Sequence, residues 1–214
     1  MSQPARVLAR RRPQSRGVAT RRRLLEAAEA LFARAGYDGA SMADVAERAG
    51  TGVGTLYHDF PDKHALLLAL IDDWGDRDLA RGRDEHDLDP FLDDDPRGAF
   101  TEGLRRRYLE LQKHGGFFLV LLELAERDSD VRQHYHRIQQ VAIERLRDRI
   151  AFAQRRGVMR ARLDPLAAAT LVRHSIEMAA TEVFVHRHAE PTGERMLEEL
   201  TDMICRYLLE DPAR

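Results

Sequence analysis

The stretch "AGTGVGTLYHDF", Ala49 to Phe60, decides how the rest of the chain is read. Its three alternating glycines, Gly50, Gly52 and Gly54, invite comparison with a turn that cradles a phosphate. A dinucleotide-binding turn needs a strand before it, a helix after it and a third glycine at fixed spacing. Tyr57 or Thr55 stands where that third glycine would fall. The preceding residues Val45, Ala46 and Ala49 have helical spacing, not the alternation of a strand. The other reading is a corner between two short helices. Ser41 to Asp44 reads as a capping box, with Asp in place of the usual Glu or Gln, at the start of the first helix. Gly50 takes a positive φ and ends that helix. Gly52 is the N-cap of the second. Leu56 and Phe60, four apart, face inward, and Val53, Gly54, Thr55, Tyr57 and His58 face outward.

Working outward, no segment requires a strand. Leu24, Ala28, Leu31, Phe32 and Ala35 make one helical face, which Gly36 stops. Leu66, Leu67, Leu70, Ile71 and Trp74 make a second stripe, on a helix starting near Asp62. A long stripe runs from Val131 through Tyr135, Ile138, Ala142, Leu146 and Ile150 to Ala153, then ends in Arg155, Arg156 and Gly157. Met196, Leu200, Met203, Ile204, Tyr207 and Leu208 make the last. Asp95-Pro96 and Asp164-Pro165 each supply a cap acid followed by Pro at the first helical position. "DEHDLDPFLDDD", Asp84 to Asp95, reads as a loop. The expectation is an all-α chain of about nine helices, with three short ones before Phe60.

Charge is divided along the chain. The first 23 residues hold eight arginines and no acid, so a net charge of −2 leaves −10 on the remainder. A basic arm on an acidic body suits an anionic partner met at one end. The longest apolar run, Phe117 to Leu122, is far too short to span a membrane. The basic N-terminus lacks the apolar core of a secretory signal. Cys205 is the only cysteine, which excludes an internal disulfide and a cysteine-based zinc site. A cytoplasmic location is the expectation.

"SMADVAERAGTGVGTLYHDFPDKHALLLAL" resembles the DNA-binding segment of TetR/AcrR-family transcriptional regulators. The matching features are a first helix ending in "ARAGYDGAS", the "DVAERAG" helix, the "GTLYHDF" recognition helix and Lys63 opening the next. The resemblance covers roughly residues 20 to 75. It implies a three-helix helix-turn-helix module on residues 20–78, with its motif at about 41–60, behind a flexible basic arm on 1–19. A larger helical domain for effector binding and dimerisation would occupy 79–214. By position, Ser41 would cap its helix and touch a phosphate. Thr51, Gly52, Val53, Gly54 and Thr55 would lie at the turn and groove face. Tyr57 and His58 would reach backbone or base edges, and Lys63 a phosphate. Gly52 stands where the family usually has Ser, and Val53 where a Lys or Arg often touches DNA. Arg16, Arg21, Arg22 and Arg23 would compensate with phosphate or minor-groove contacts.

The implied function is a homodimeric, ligand-responsive repressor of a palindromic double-stranded DNA operator, released by a small-molecule effector. The helices near 164–188 and 192–210 carry apolar residues on more than one face and are the expected dimer interface. Val172, Ile176, Ala179 and Val183 form one stripe there, with Leu171, Met178 and Val185 beside it. For an effector pocket the candidates are Phe117, Leu121, Tyr135, Ile138, His174, Glu177 and Met178, an apolar set with two polar interruptions. Enzymatic chemistry is not expected: no H-E-x-x-H, G-x-S-x-G or paired Glu-x-x-His motif is present. The pairs His134/His136 and His186/His188 are two apart and diverge on a helix. The spacings of Glu110–His114, His174–Glu177 and Glu182–His186 suit a helix face, yet none makes a full ligand set. No metal or cofactor is assigned.

Overall fold

The structure is a computed structural model that describes residues 14–81, 95–182 and 193–209. These fold into eight helices: α1 Gln14–Ala35, α2 Met42–Arg48, α3 Val53–Asp59, α4 Lys63–Arg81, α5 Pro96–Arg127, α6 Ser129–Arg155, α7 Pro165–Thr181 and α8 Gly193–Leu208. The one β-type pairing among the described residues is an isolated bridge between Met159 and Leu209. The chain is therefore all-α. The Asp84–Asp95 loop (its last residue apart), residues 1–13, the His186/His188 pair and the 183–192 stretch lie outside the described residues.

Local signals set most boundaries. Gly36, Gly50 and Gly157 have φ of 73°, 63° and 73°, the left-handed conformation that ends a helix. After α6, Gly157 N–H donates to Gln154 O at 3.0 Å and Val158 N–H to Ala153 O at 3.0 Å, the two bonds of a Schellman motif. Asp95 caps α5 by accepting from Gly98 N–H at 2.9 Å, and Asp164 caps α7 by accepting from Ala167 N–H at 2.7 Å. Asp62 accepts from Ala65 N–H at 2.7 Å as α4 begins.

Two helices are longer than their local sequence indicates. α1 has 22 residues and begins at Gln14, so residues 14–19 of the expected flexible arm are helical. Pro13 precedes it in sequence, and no stronger stop lies further in. α5 has 32 residues and runs straight through Gly115 and Gly116. A Cβ on Gly116 would meet Ala33 Cβ at 2.9 Å, so this glycine permits α1 to lie close against α5.

The hydrophobic interior forms two clusters. The first joins α1–α4 to the second half of α5 and the start of α6, bringing Leu24, Phe32, Leu56, Phe60 and Trp74 together with Phe117, Leu121, Val131 and Ile138. Trp74 stacks on Phe118 with ring centroids 5.9 Å apart. The second cluster joins Leu104 of α5 to Ile150, Ala153, Ala168, Ala169, Val172, Ile204 and Leu208. The first cluster crosses residue 78, so the N-terminal module and the body share one core.

α4 lies along α6 in parallel. His64 Nε2 meets Asp128 Oδ2 at 3.0 Å, Asp72 Oδ1 meets His134 Nδ1 at 2.8 Å, and Arg145 donates to Leu79 O at 2.7 Å. Between these ties Gly75 admits Ile138: a Cβ at Gly75 would sit 2.5 Å from Ile138 Cδ1. A second junction centres on half-buried Glu29 of α1. It accepts from Arg77 of α4 at 2.9 Å and lies 2.6 Å from His114 Nδ1 of α5. His114 therefore pairs across the module boundary, to a residue 85 positions away.

Candidate nucleic-acid interface

The α2–α3 corner is built by side chains and backbone within a dozen residues. Ser41 has an extended N-cap conformation, with φ −108° and ψ 159°. Asp44 N–H donates to Ser41 Oγ at 3.2 Å, and Ser41 N–H donates to Asp44 Oδ2 at 3.1 Å, which closes the reciprocal capping box. Ser41 Oγ–H also donates to Asp44 Oδ2 at 2.7 Å. The Ser41 hydroxyl and then its amide hold the Asp44 carboxyl below the usual carboxylate range. The single hydroxyl proton of Ser41 is thus engaged within the cap.

α2 ends in a second Schellman motif. Gly50 N–H donates to Glu47 O and Thr51 N–H to Ala46 O, each at 3.0 Å. Ala46 is fully buried where α2 meets its neighbours. Gly52 then opens α3 with φ −75° and ψ 145°, and with no side-chain cap.

α3 divides cleanly into two faces. Leu56 is 0% and Phe60 2% exposed, which anchors the helix to the first cluster. Val53 is 41% and Tyr57 50% exposed, one turn apart on the outer face. Gly52, Gly54, Thr55 and His58 are exposed with them, and Thr51 is half-buried at the edge. The outer face therefore offers two hydroxyls, an imidazole, an apolar branch and two glycines. Hydroxyl and imidazole groups reach phosphates and base edges, and a methyl-bearing side chain suits the thymine methyl in a major groove.

One arginine of α1 flanks this face. The Arg21 guanidinium lies over the Phe60 ring, 4.4 Å from its centroid, beside the end of α3. Arg22 pairs with Glu26 at 3.4 Å on the surface, and Arg23 donates to Thr20 Oγ1 at 3.4 Å. Lys63 has a different environment from these. Its ammonium donates to Tyr37 O at 3.0 Å and Ala40 O at 3.1 Å, and sits 4.4 Å from the Tyr37 ring centroid. Two of its three protons close the corner after α1. The partners lie 26 and 23 residues upstream, beyond the reach of local pattern reading.

The seven effector candidates do not converge. Phe117, Leu121 and Ile138 are buried in the first cluster, where they pack against the N-terminal module. His174 and Met178 lie on the outer face of α7, Met178 being 69% exposed. The α7 face of Ala168, Ala169 and Val172 is the one turned inward. Tyr135 and Glu177 do meet, through Gln139. The Gln139 amide donates to Tyr135 Oη at 2.8 Å and to Glu177 Oε2, while its carbonyl accepts from Arg173 Nε at 2.7 Å. Burial pulls the Arg173 guanidinium down to about 10. Sequence patterning gave no signal for Gln139 or Arg173. Among the described residues, an apolar cavity of about 20 Å³ lies between α5, α7 and α8, lined by Leu104, Tyr108, Ile176, Met196 and Leu200. That is room for a single water.

A family model, "Bacterial regulatory proteins, tetR family", matches residues 24–70. The chain is 38% identical to the HTH-type transcriptional regulator UidR of Escherichia coli K12 over 80 residues, 37% of this chain and 41% of UidR. The matched segment thus spans less than half of that relative. Over 187 residues it is 27% identical to the HTH-type transcriptional repressor AcnR of Corynebacterium efficiens, 87% of this chain and 91% of AcnR. A solved TetR-family regulator from Mesorhizobium loti superposes with a TM-score of 0.74 at 19% identity, over 91% of this chain and 99% of the other. No described helix is long and apolar enough to cross a membrane. Residues 24–70 therefore match the TetR-family model, and the described helices share the fold of solved TetR-family regulators.

Proposed function

We propose that the chain is a ligand-responsive, DNA-binding repressor that acts as a homodimer on a palindromic operator. The observation that carries this reading is the two-faced α3, in which buried Leu56 and Phe60 hold Val53, Gly54, Thr55, Tyr57 and His58 outward. That face enters a major groove, with Thr51 and Gly52 at its leading edge. Arg21 and Arg22 reach the flanking phosphates, and Ser41 and Lys63 border the same contact after their capping roles. Two-fold symmetry pairs two such helices on half-sites about 34 Å apart. The dimer forms through α7 and α8, where Leu171 and Met178 are the most exposed large apolar residues on α7 and Met203 on α8.

A small-molecule effector binds in the body. The Tyr135–Gln139–Glu177 seam supplies its polar anchor, since pockets combine apolar walls with a few polar groups. An effector can release DNA only through differential affinity for two conformations. α4 is the element to carry it, because it packs on α6 along its length and leads directly from α3. AcnR is named a repressor, which supports the sign of the regulation.

The test is a mobility-shift titration of the purified chain against DNA upstream of its own gene and its neighbours. A specific shift that Tyr57→Ala and Thr55→Ala each weaken supports the reading. Equal, non-specific retention of every fragment by the wild type and both variants overturns it.

A further inference from the structure

We propose that His64, Asp128 and Asp130 form a binding site for a divalent first-row transition-metal ion, which fastens the first turn of α4 to the α5–α6 corner. One ligand atom from each residue lies within 4.8 Å of the other two. His64 Nε2 and Asp128 Oδ2 face each other at 3.0 Å. A tetrahedral ion bonding nitrogen and oxygen at about 2.1 Å holds its ligand atoms about 3.4 Å apart. The His64–Asp128 pair lies a few tenths of an ångström inside that spacing, and Asp130 stands within 4.8 Å of both.

Asp128 divides its work between its two oxygens. Oδ1 accepts from Asp130 N–H at 2.9 Å and Val131 N–H at 3.1 Å, capping α6, while Oδ2 is turned toward His64. Ligation through Oδ2 leaves the cap intact. His64 and Asp128 are half-buried and Asp130 is exposed, which gives an entry path. The surroundings are acidic: after desolvation, Asp62, Asp128 and Asp38 are what push the nearby Tyr37 hydroxyl up. Of the adjacent cations, Lys63 is engaged with the Tyr37 and Ala40 carbonyls and Arg127 with Asp38.

One imidazole with two carboxylates suits Zn²⁺, Co²⁺, Fe²⁺ or Mn²⁺, with water filling the open positions, and does not suit a soft ion such as Cu⁺. The α6 dipole opposes a cation at its N-terminus. Both carboxylates are therefore needed, and Asp130 becomes the sensitive position. Because His64 follows α3 by five residues and the aspartates belong to the body, occupancy ties the recognition helix's support to the body. Only that consequence rests on the DNA-binding reading; the metal site itself does not.

The experiment uses the full chain, stripped with a chelator and titrated with Co²⁺, reading the visible d–d bands and calorimetric stoichiometry. Asp130→Asn preserves the shape of an exposed residue, and His136→Gln controls for adventitious histidine binding. The expected result is one saturable site in the wild type and in His136→Gln, displaced by Zn²⁺, with affinity lower by ~10-fold or more in Asp130→Asn and in His64→Gln. The melting temperature should rise with metal in the wild type but not in Asp130→Asn. Undiminished binding in both ligand variants, or no saturable band in the wild type at millimolar Co²⁺, overturns the proposal. DNA binding is read separately, so a failure there leaves this result standing.

Discussion

The two hydrophobic clusters are built on opposite plans. The one beneath the N-terminal module is closed: Leu24, Phe32, Leu56, Leu66, Leu70, Phe117 and Leu121 are all at 0% exposure, contributed by helices from both halves of the chain. The one at the far end is open. Three of its nine buried residues are alanines, and its helices carry Leu166, Leu171, Met178 and Met203 on the outside. On the proposed function, a second copy of the chain would cover those outer residues, whereas the exposed Val53 and Tyr57 of the N-terminal module would face DNA. The difference also bears on signalling. A module that shares its core with the body cannot move as a loosely tethered bead; it shifts only if α4, α5 and α6 repack with it.

The contrast breaks first at Leu121. Truncation to Ala should cost about 2–5 kcal/mol, and the loss should be felt on both sides of residue 78. Trp74, the one tryptophan, sits in this cluster and reports it by fluorescence, while far-UV circular dichroism reports all the helices. Coincident urea transitions in the wild type and the variant are expected; two separated transitions would mean that the halves fold independently. The open end is probed by Leu171→Glu combined with Met178→Glu. Each places a charge on an exposed face, so the monomer should remain folded while dimerisation weakens by ~2 kcal/mol or more. Sedimentation velocity over a concentration series reads this directly, and an unchanged dimer would move the interface elsewhere.

Smaller effects sharpen the picture of α3. Tyr57→Ala should reduce operator affinity by about 1–3 kcal/mol while leaving stability within roughly 0.5 kcal/mol, because half of the side chain is already in water. Anisotropy and thermal melts on the same protein separate the two. Gly50→Ala forces a Cβ into φ 63° and should cost about 1–2 kcal/mol of stability, although open space surrounds the position. Gly52→Ser should do the reverse, adding a few tenths of a kcal/mol by supplying the cap that α3 lacks. Urea midpoints at constant slope would order these two.

The parts of the molecule that depend on near neighbours were legible in the sequence. The positive φ of Gly36, Gly50 and Gly157, the Ser41–Asp44 box, the Asp95 and Asp164 caps and the inward pair Leu56 and Phe60 each follow from residues a few positions apart. What was not legible depends on long-range partners. The continuity of α5 through two glycines needs Ala33 of α1 beside it. The two carbonyls that hold the Lys63 ammonium lie 26 and 23 residues upstream. Phe117 and Leu121 looked like pocket walls because an apolar run has no label for what covers it; the covering element is the N-terminal module. His174 stood out as a polar interruption of an apolar helix, a pattern that marks the helix but not the side on which the residue lies. Asp128, which caps α6 and meets His64, followed a helix end that the residue pattern did not mark.

The central claim is that the outer face of α3 reads DNA in a symmetric pair. Selection of binding sites from a random double-stranded library with the full-length chain tests it most directly. The expected result is an enriched palindrome whose half-sites are centred about 10 base pairs, or a multiple of one turn, apart. Binding to it should fall steeply with salt and weaken by about 1–3 kcal/mol in Tyr57→Ala. Enrichment of no sequence by the wild type, or of the same sequence by a variant in which Val53, Thr55 and Tyr57 are all alanine, would contradict it.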